Sequence, residues 1–313
     1  MVKISVIIPT YNRIQALSET LQSVFQCEEQ PEQIIIVDQS ENAQENQKKI
    51  LEQKGNYKGV LEYKIMDTPS STKARNLGIS LVQNEIVVFM DDDIEVLKDT
   101  FQQISLLMKE DSIAMIGGIN RLACPNGKFF PYIMGTRNWV KRNKGHVTKS
   151  MFGRYPTTVN TMVETEWAMG YFFAVRKSCI DRWNLKFDSK LGQYAYAEDL
   201  DFSMTYAQCA KKEGLKCILT PSVVVAHLCS TEWRTTSHRM SYVLIFNRYY
   251  LINKHGGKWQ EKLAFWWSNL FLFFKKIVTK DNPCDFARGM RDCMKYRMDL
   301  AQGEMHEELY GNR

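Results

Sequence analysis

The chain is 313 residues long, with 44% apolar residues, 24% charged residues and a formal net charge of +6. These values belong to a globular protein with one large α/β core or two smaller domains, and they exclude a low-complexity or disordered chain. The positive balance suits an anionic substrate, a lipid surface or nucleic acid, but no RRM, KH or zinc module supports the last.

Ile4 to Ile8 reads as a first strand buried on both faces, the short apolar run of a parallel sheet. Pro9-Thr10-Tyr11-Asn12-Arg13 turns the chain, the proline stopping the ladder and the asparagine serving as a cap. Leu17, Leu21, Val24 and Phe25 recur at helical spacing. Ile34-Ile35-Ile36-Val37-Asp38 is a second strand that ends on a carboxylate. A polar helix over 43–53 leads to a third strand near 61–66. Ser70-Ser71-Thr72 caps a helix running to about Val82, with Lys73, Arg75 and Asn76 in its first turn. Basic residues there oppose the macrodipole, so Lys73 and Arg75 are either solvent-facing charges or the partners of a nearby anion.

Ile86-Val87-Val88-Phe89-Met90 then runs straight into Asp91-Asp92-Asp93. Open α/β sheets place ligands at the carboxyl ends of their strands, and clustered carboxylates there repel one another unless a divalent cation relieves them. A solvated acidic turn capping the next helix is the competing reading. A helix (101–108) and a strand (114–118) follow. Between Asn120 and Glu166 the periodicity is weak, and Trp139, Lys141, Arg142, Lys144 and His146 make the segment basic and aromatic. It is either an acceptor-contacting flap or a variable surface loop. Trp167 to Val175 returns as a strand with Gly170 inside it, where a glycine permits close approach of a ligand or backbone. Glu198-Asp199-Leu200-Asp201 opens a helix, a placement the dipole alone favours. Val223 to His227 is a further buried strand, ending on an imidazole of the kind that is more often structural than ligating.

This alternation implies an α/β fold with a doubly wound, mostly parallel sheet, and Asp38 and Asp93 on one rim of it. No G-x-G-x-x-G follows the first strand and no G-x-x-x-x-G-K-[ST] occurs, which argues against a dinucleotide oxidoreductase and a P-loop NTPase.

Taken together in this order, the segments resemble the inverting glycosyltransferases of family 2, which have the GT-A fold. Ser5 to Arg13 is similar to that family's opening strand and nucleotide-binding turn, and Val37-Asp38 to its second-strand acid, which contacts the base. Lys73-Ala74-Arg75-Asn76-Leu77-Gly78 looks like its A-R-N-x-G segment, and Asp91-Asp92-Asp93 matches its D-x-D. Gly170 through Arg176 follows its G-x-x-x-A-x-R strand, Glu198-Asp199 its E-D pair, and Pro221 to His227 its P-x-x-x-x-x-H ending. The resemblance covers about residues 1–230, split into a nucleotide-sugar-binding half (1–119) and an acceptor-binding half (120–230), with 231–313 as a helical extension. Gln39 stands where the family often has a second acid, and Phe172 where many members carry Asn. The Q-x-x-R-W motif and transmembrane helices of processive synthases are missing, which points to the addition of one or a few sugars.

The resemblance implies a nucleoside-diphosphate sugar donor, with UDP the most frequent carrier in the family, and Mn2+ or Mg2+ as cofactor. It implies a saccharide or lipid-linked saccharide acceptor, within bacterial surface polysaccharide synthesis. Asp93 becomes the direct metal ligand, with Asp91 and His227 beside it. Pro9, Thr10, Tyr11, Asn12, Arg13, Asp38, Lys73, Arg75, Asn76, Asp91 and Asp92 become donor contacts. Asp199 becomes the general base, with Glu198 orienting it or substituting for it. Trp167 and Gly170 would stand beside the acceptor, although core packing suits Trp167 equally. A catalytically inactive carbohydrate-binding relative and a sugar-phosphate nucleotidyltransferase are the alternatives. The second should open with a G-x-G-x-R loop, where this chain has Pro9 to Arg13.

Past His227, a helix over 237–255 precedes Lys262 to Lys276, a segment rich in Trp and Phe and flanked by lysines. It is too short to span a bilayer. It reads as an interfacial helix on an anionic leaflet, as a buried helix, or as a dimer contact. The eight cysteines show no C-x-x-C pair, and nothing resembles a signal peptide. A cytoplasmic protein is the expectation, peripheral on the inner face of the membrane if 262–276 is the interfacial helix.

Overall fold

The computed structural model describes residues 2–55, 57–123, 129–191, 196–229 and 236–311. In chain order the first half holds β1 (Ile4–Thr10), α1 (Ile14–Phe25), β2 (Gln33–Asp38), α2 (Ala43–Gln53), β3 (Val60–Ile65), α3 (Ser71–Leu81), β4 (Ile86–Met90), β5 (Ile94–Val96), α4 (Thr100–Leu107) and β6 (Ile113–Asn120). A less regular stretch carries α5 (Phe130–Ile133), β7 (His146–Val147), β8 (Gly153–Arg154) and β9 (Val163–Glu164), and residues 124–128 of it lie outside the described residues. Next come β10 (Phe172–Arg176), α6 (Lys177–Arg182), α7 (Glu198–Lys212) and β11 (Lys216–His227). The C-terminal part is α8 (Ser237–Lys254), α9 (Trp259–Thr279), α10 (Pro283–Lys295) and α11 (Arg297–Gln302).

A nine-stranded sheet runs β3-β2-β1-β4-β10-β6-β11-β5, with β9 also paired to β11. The β3-β2-β1-β4 run and the β6-β11 pair are parallel, while β10 lies antiparallel between β4 and β6. Successive strand side chains point to opposite faces, so Val6 and Ile8 pack with α1, α2 and α4, and Ile7 packs with α3, α6 and α7. That is the doubly wound, mostly parallel arrangement expected. α8 to α11 close a further core against Trp167, Leu200 and Leu219.

Three local readings change, the first being that Asn12 does not cap α1, whose N-cap is Arg13 without a side-chain bond. Pro9 does not end its strand: β1 stays paired with β2 through Thr10↔Asp38, while its ladder with β4 stops at Ile7↔Phe89. The Pro9 nitrogen faces the β4 side, beyond that ladder, so its missing N–H costs no strand bond. The strand expected to begin at Trp167 begins at Phe172 instead. Gly170 therefore sits in the turn before β10, where Phe172 N–H bonds back to Met169 O at 3.3 Å.

One close approach positions the first half of the site. A Cβ on Gly78 would stand 2.4 Å from Ile7 Cγ2. Only glycine lets α3 lie this near β1, and that proximity carries Arg75, almost one turn earlier, over the sheet rim.

Candidate functional site

The acidic strand end is built by register. β4 delivers Asp91 to Asp93 at its carboxyl end, and the final residue of β11, His227, arrives beside them because β5 (Ile94–Val96) pairs antiparallel with β11 as His227↔Ile94. Ligand-capable atoms of Asp91, Asp93 and His227 all lie within 4.8 Å of one another. His227 Nε2 is 3.2 Å from Asp93 Oδ1. Burial lowers the imidazole's proton affinity, but the bond to and charge of Asp93 outweigh it and raise the pKa. Two hard carboxylate oxygens and an imidazole form a donor set that fits Mn2+ or Mg2+.

Asp92 points the other way. Its Oδ2 accepts from Thr10 Oγ1 at 2.7 Å and its Oδ1 from Arg13 Nη1 at 3.2 Å. Burial pushes it up to about 7 in spite of Arg13 and Thr10. Arg13 also lies 3.6 Å from Asp93 Oδ2, so this guanidinium ties the Pro9–Arg13 turn to the acidic strand end. Asn12 holds a left-handed conformation at φ 53°, its N–H donating to Ser40 Oγ at 2.7 Å. Asparagine tolerates that region better than most residues. Pro9, Tyr11, Asn12 and Arg13 are partly exposed beside these acids, whereas Thr10 and Asp92 are buried.

Arg75 links the two acidic groups. Its Nη2 lies 2.9 Å from Asp91 Oδ1, and its Nη1 2.6 Å from Glu198 Oε1. The guanidinium is buried and stands 5.4 Å from the Phe187 ring centroid. Asn76 holds that ring in place: its amide donates to Phe187 O and accepts from Phe187 N, each at 2.8 Å. Lys73 stays exposed at the start of α3, whose cap is Ser70 as expected.

Glu198 and Asp199 open α7. Asp199 Oδ2 accepts the Gly170 N–H at 2.7 Å and Oδ1 the Leu200 N–H at 2.8 Å, which fixes the carboxylate's plane. A Cβ on Gly170 would stand 2.8 Å from Asp199 Cβ, so the glycine is there to admit this side chain. Burial raises both carboxyl groups above the ordinary carboxylate range, Arg75 pulling Glu198 back and the Gly170 N–H pulling Asp199 back. Glu198 is buried and Asp199 partly exposed.

The structure thus gathers Asp91, Asp93, His227, Arg75, Glu198, Asp199 and Gly170 on one rim. It does not bring Asp38 to that surface. Asp38 is fully buried, with Oδ1 accepting Ser40 N–H at 2.8 Å and Oδ2 accepting from Asn46 at 3.1 Å and from the Tyr63 hydroxyl. Trp167 lies in the core, its indole N–H donating to Arg154 O at 3.2 Å and its ring 5.3 Å from Tyr155. Of the two readings of that residue, the geometry is that of core packing.

Two supporting residues escaped the sequence reading. Tyr171 stacks on His227 at 5.1 Å and donates its hydroxyl to Gly118 O at 2.8 Å, so it sets the imidazole's plane. Its place next to Gly170 was the available signal. Thr20 donates to Asp92 O at 2.8 Å and accepts from Ile94 N at 3.0 Å, pinning the acidic turn from α1. A buried threonine within a helical repeat carries no such signal.

Residues 5–182 match the family described as Glycosyl transferase family 2. No curated protein matches the sequence. Among solved structures, the chain is similar to the mannosyltransferase PcManGT from Pyrobaculum calidifontis, solved in complex with GDP-Man and Mn2+. The two are 15% identical with a TM-score of 0.57, over 97% of this chain and 84% of that one. It is also similar to S. aureus TarS 1-349 in complex with UDP-GlcNAc, at 17% identity and TM-score 0.54, covering 98% of this chain and 82% of that one. A third likeness is to GalNAc-T7 with UDP, GalNAc and Mn2+, at 15% identity and TM-score 0.55, covering 75% of this chain and 45% of that one. At these identities the likenesses establish the GT-A fold.

Proposed function

The chain belongs to glycosyl transferase family 2, and from that premise we propose that it is a metal-dependent inverting transferase. The donor is a nucleoside-diphosphate sugar, with UDP as carrier, and the acceptor a hydroxyl of a saccharide or lipid-linked saccharide in bacterial surface polysaccharide synthesis. The observation that carries this reading is the convergence of Asp91, Asp93 and His227 within 4.8 Å, with Asp199 joined to them through Arg75 and Glu198. The relatives solved with Mn2+ and a nucleotide or nucleotide sugar support the same donor class.

In this reading Asp93, Asp91 and His227 hold a divalent cation. Such a cation, when bound, supplies Lewis-acid neutralisation of the charge that a leaving diphosphate gains. Lys73 meets phosphate from the exposed first turn of α3, and the Pro9–Arg13 turn borders the nucleotide. Asp199 removes the proton from the acceptor hydroxyl. Two backbone N–H groups aim its carboxylate, and its raised pKa makes it a better proton acceptor near neutral pH. Glu198 holds Arg75 in place and so positions both acidic groups. One in-line displacement inverts the anomeric carbon. Residues 1–119 serve the donor and 120–230 the acceptor, while 231–313 form the extension, which rests through 262–276 on the cytoplasmic face of the membrane.

Calorimetric titration with UDP, dTDP and GDP, in Mn2+ and in EDTA, tests the proposal on wild type and Asp93→Ala. Metal-dependent binding of one nucleotide, lost in Asp93→Ala, is the expected result. No binding of any of the three overturns it.

A further inference from the structure

Surface helices normally turn their apolar stripe inward. α9 buries Phe265 but turns polar groups inward beside it. Ser268 and Asn269 are fully buried, and the fully buried guanidinium of Arg248 on α8 donates to both. The same guanidinium donates to Ser150 O at 3.1 Å and lies 4.0 Å from the Phe152 ring centroid. These contacts fix the rotation of α9 about its axis. With that rotation Leu263, Trp267, Leu270, Phe274, Ile277 and Val278 face solvent, between 41% and 82% exposed. Their spacing makes one stripe along the helix, about 20 Å long.

α5 extends the stripe from far away in sequence. The Trp267 indole N–H donates to Ile133 O at 2.9 Å, and Phe271 meets Phe130 edge-on at 6.3 Å. Phe129, Phe130, Ile133 and Trp139 are exposed as well, the last with Arg142 stacked 4.4 Å over its ring. From Phe129 to Lys149 the chain carries Arg137, Lys141, Arg142, Lys144 and Lys149 and no carboxylate. Lys141 leans on Glu166 at 2.7 Å; α9 adds Lys262, Lys275 and Lys276, the last paired with Asp281. Contiguous exposed apolar faces of this kind mark interaction sites.

We propose that this composite face, α9 together with residues 129–142, seats the protein on an anionic membrane surface. Its rings and aliphatic side chains enter the headgroup–acyl boundary, and its flanking cations meet lipid phosphates. The inference deepens the membrane contact proposed above for 262–276, and it rests on that reading. Charge selects the occupant: a second copy would press the same cations together across a two-fold axis, whereas an anionic leaflet neutralises them. Tryptophan, apolar with one polar edge, suits the membrane–water boundary. No described helix is long and apolar enough to cross a membrane, so the face lies on the surface and not through it.

The test is co-sedimentation of the full chain with phosphatidylcholine vesicles, with and without phosphatidylglycerol. Wild type should pellet with the anionic vesicles and be released by salt. Leu270→Glu/Phe274→Glu should lower partitioning about tenfold or more, and Phe130→Glu and Arg142→Glu about fivefold each. Equal pelleting with and without phosphatidylglycerol overturns the proposal. So does wild-type pelleting by Phe130→Glu and Arg142→Glu. A dimer that ignores vesicles and dissociates in Leu270→Glu/Phe274→Glu overturns it in favour of self-association. UDP titration of the same variants reports the fold separately: a chain that pellets as expected but binds no nucleotide upholds the docking face while the transfer reading fails.

Discussion

Gly170→Ala strikes the proposed base first, although the Gly170 carbonyl also accepts from Arg75 Nη2 at 3.3 Å. The added methyl would stand 2.8 Å from Asp199 Cβ and 3.1 Å from its Oδ2. Ordinary carbon–carbon contact is about 3.5–4.0 Å, so the two carbons must part by roughly 0.7–1.2 Å. Overpacking of this size costs about 1–3 kcal/mol of stability. It also stretches the 2.7 Å bond between the Gly170 N–H and Asp199 Oδ2 that aims the carboxylate. A reacting group misplaced by about 1 Å loses on the order of 10²-fold in rate. The three atoms nearest the new methyl all belong to Asp199, and none to Asp91, Asp93 or His227. The expected result is therefore a kcat about 10²-fold down with nucleotide affinity unchanged, measured by sugar transfer and by calorimetry with Mn2+. Asp199→Asn, the same size but unable to take a proton, should lose about 10²–10⁴-fold. Wild-type turnover in Gly170→Ala, or loss of nucleotide binding alongside turnover, refutes the assignment of Asp199.

Mn2+ should raise the melting temperature of the wild type and leave Asp93→Ala and His227→Ala unshifted; a retained shift in Asp93→Ala refutes the ligand set. Because burial raises the pKa of Asp199, the acid limb of kcat should fall above the ordinary aspartate value of about 3.9, and Asp199→Asn should abolish that limb. Burial lifts Glu198 from its ordinary 4.5 to about 7, so the folded chain holds this proton more tightly than the unfolded one. Its contribution to stability is complete below the unfolded value and is lost as pH rises through the folded one. Urea midpoints at about pH 5 and about pH 8 should differ less in Glu198→Gln than in wild type, by at most on the order of 3 kcal/mol. Arg248→Met should strip the buried Asn269, Ser268 and Ser150 carbonyl of their donor. The cost is about 2–4 kcal/mol in thermal or urea unfolding, and an unchanged midpoint refutes the role of Arg248 in docking α9.

The strands of the first half were legible because they are apolar on both faces, and a continuous run such as Ile86 to Met90 admits few other readings. The boundaries of α2, Ala43 to Gln53, followed from its polar pattern alone. The antiparallel insertion of β10 was not legible, since nothing in Phe172 to Arg176 distinguishes a parallel neighbour from an antiparallel one. At the site, residue type and spacing left Asp91, Asp93, His227 and Glu198-Asp199 each with a structural alternative, and the resemblance to family 2 singled them out. Partnership was invisible. Asp38 ends its strand and Asp91 to Asp93 follow the end of another, yet Asn46, Ser40 and Tyr63 enclose Asp38. Asn76 sits beside Arg75 in sequence and spends both its amide atoms on the Phe187 backbone. The close approach signalled by Gly170 proved to be that of a side chain, which only the fold could supply.

The charge arrangement explains why so many acids can share one rim. Among Asp91, Asp92, Asp93, Glu198 and Asp199, Arg13 pairs with Asp92 and Asp93, and Arg75 with Asp91 and Glu198. Burial raises Asp91, Asp92, Glu198 and Asp199 alike. Such a cluster is costly to keep ionised by protein groups alone. The fold bears that cost with rigid supports: Thr10 and Thr20 at Asp92, backbone N–H groups at Asp199, and the Phe187 ring beneath Arg75. Arg13 and Arg75 offset part of the charge and these supports hold the carboxylates together, yet burial still raises four of them, so a ligand that brings positive charge relieves the repulsion that remains. Stability and binding are therefore opposed at this rim where a carboxylate is not held by a buried guanidinium, whereas neutralising Asp91 or Glu198 would strand the buried Arg75 and destabilise the chain.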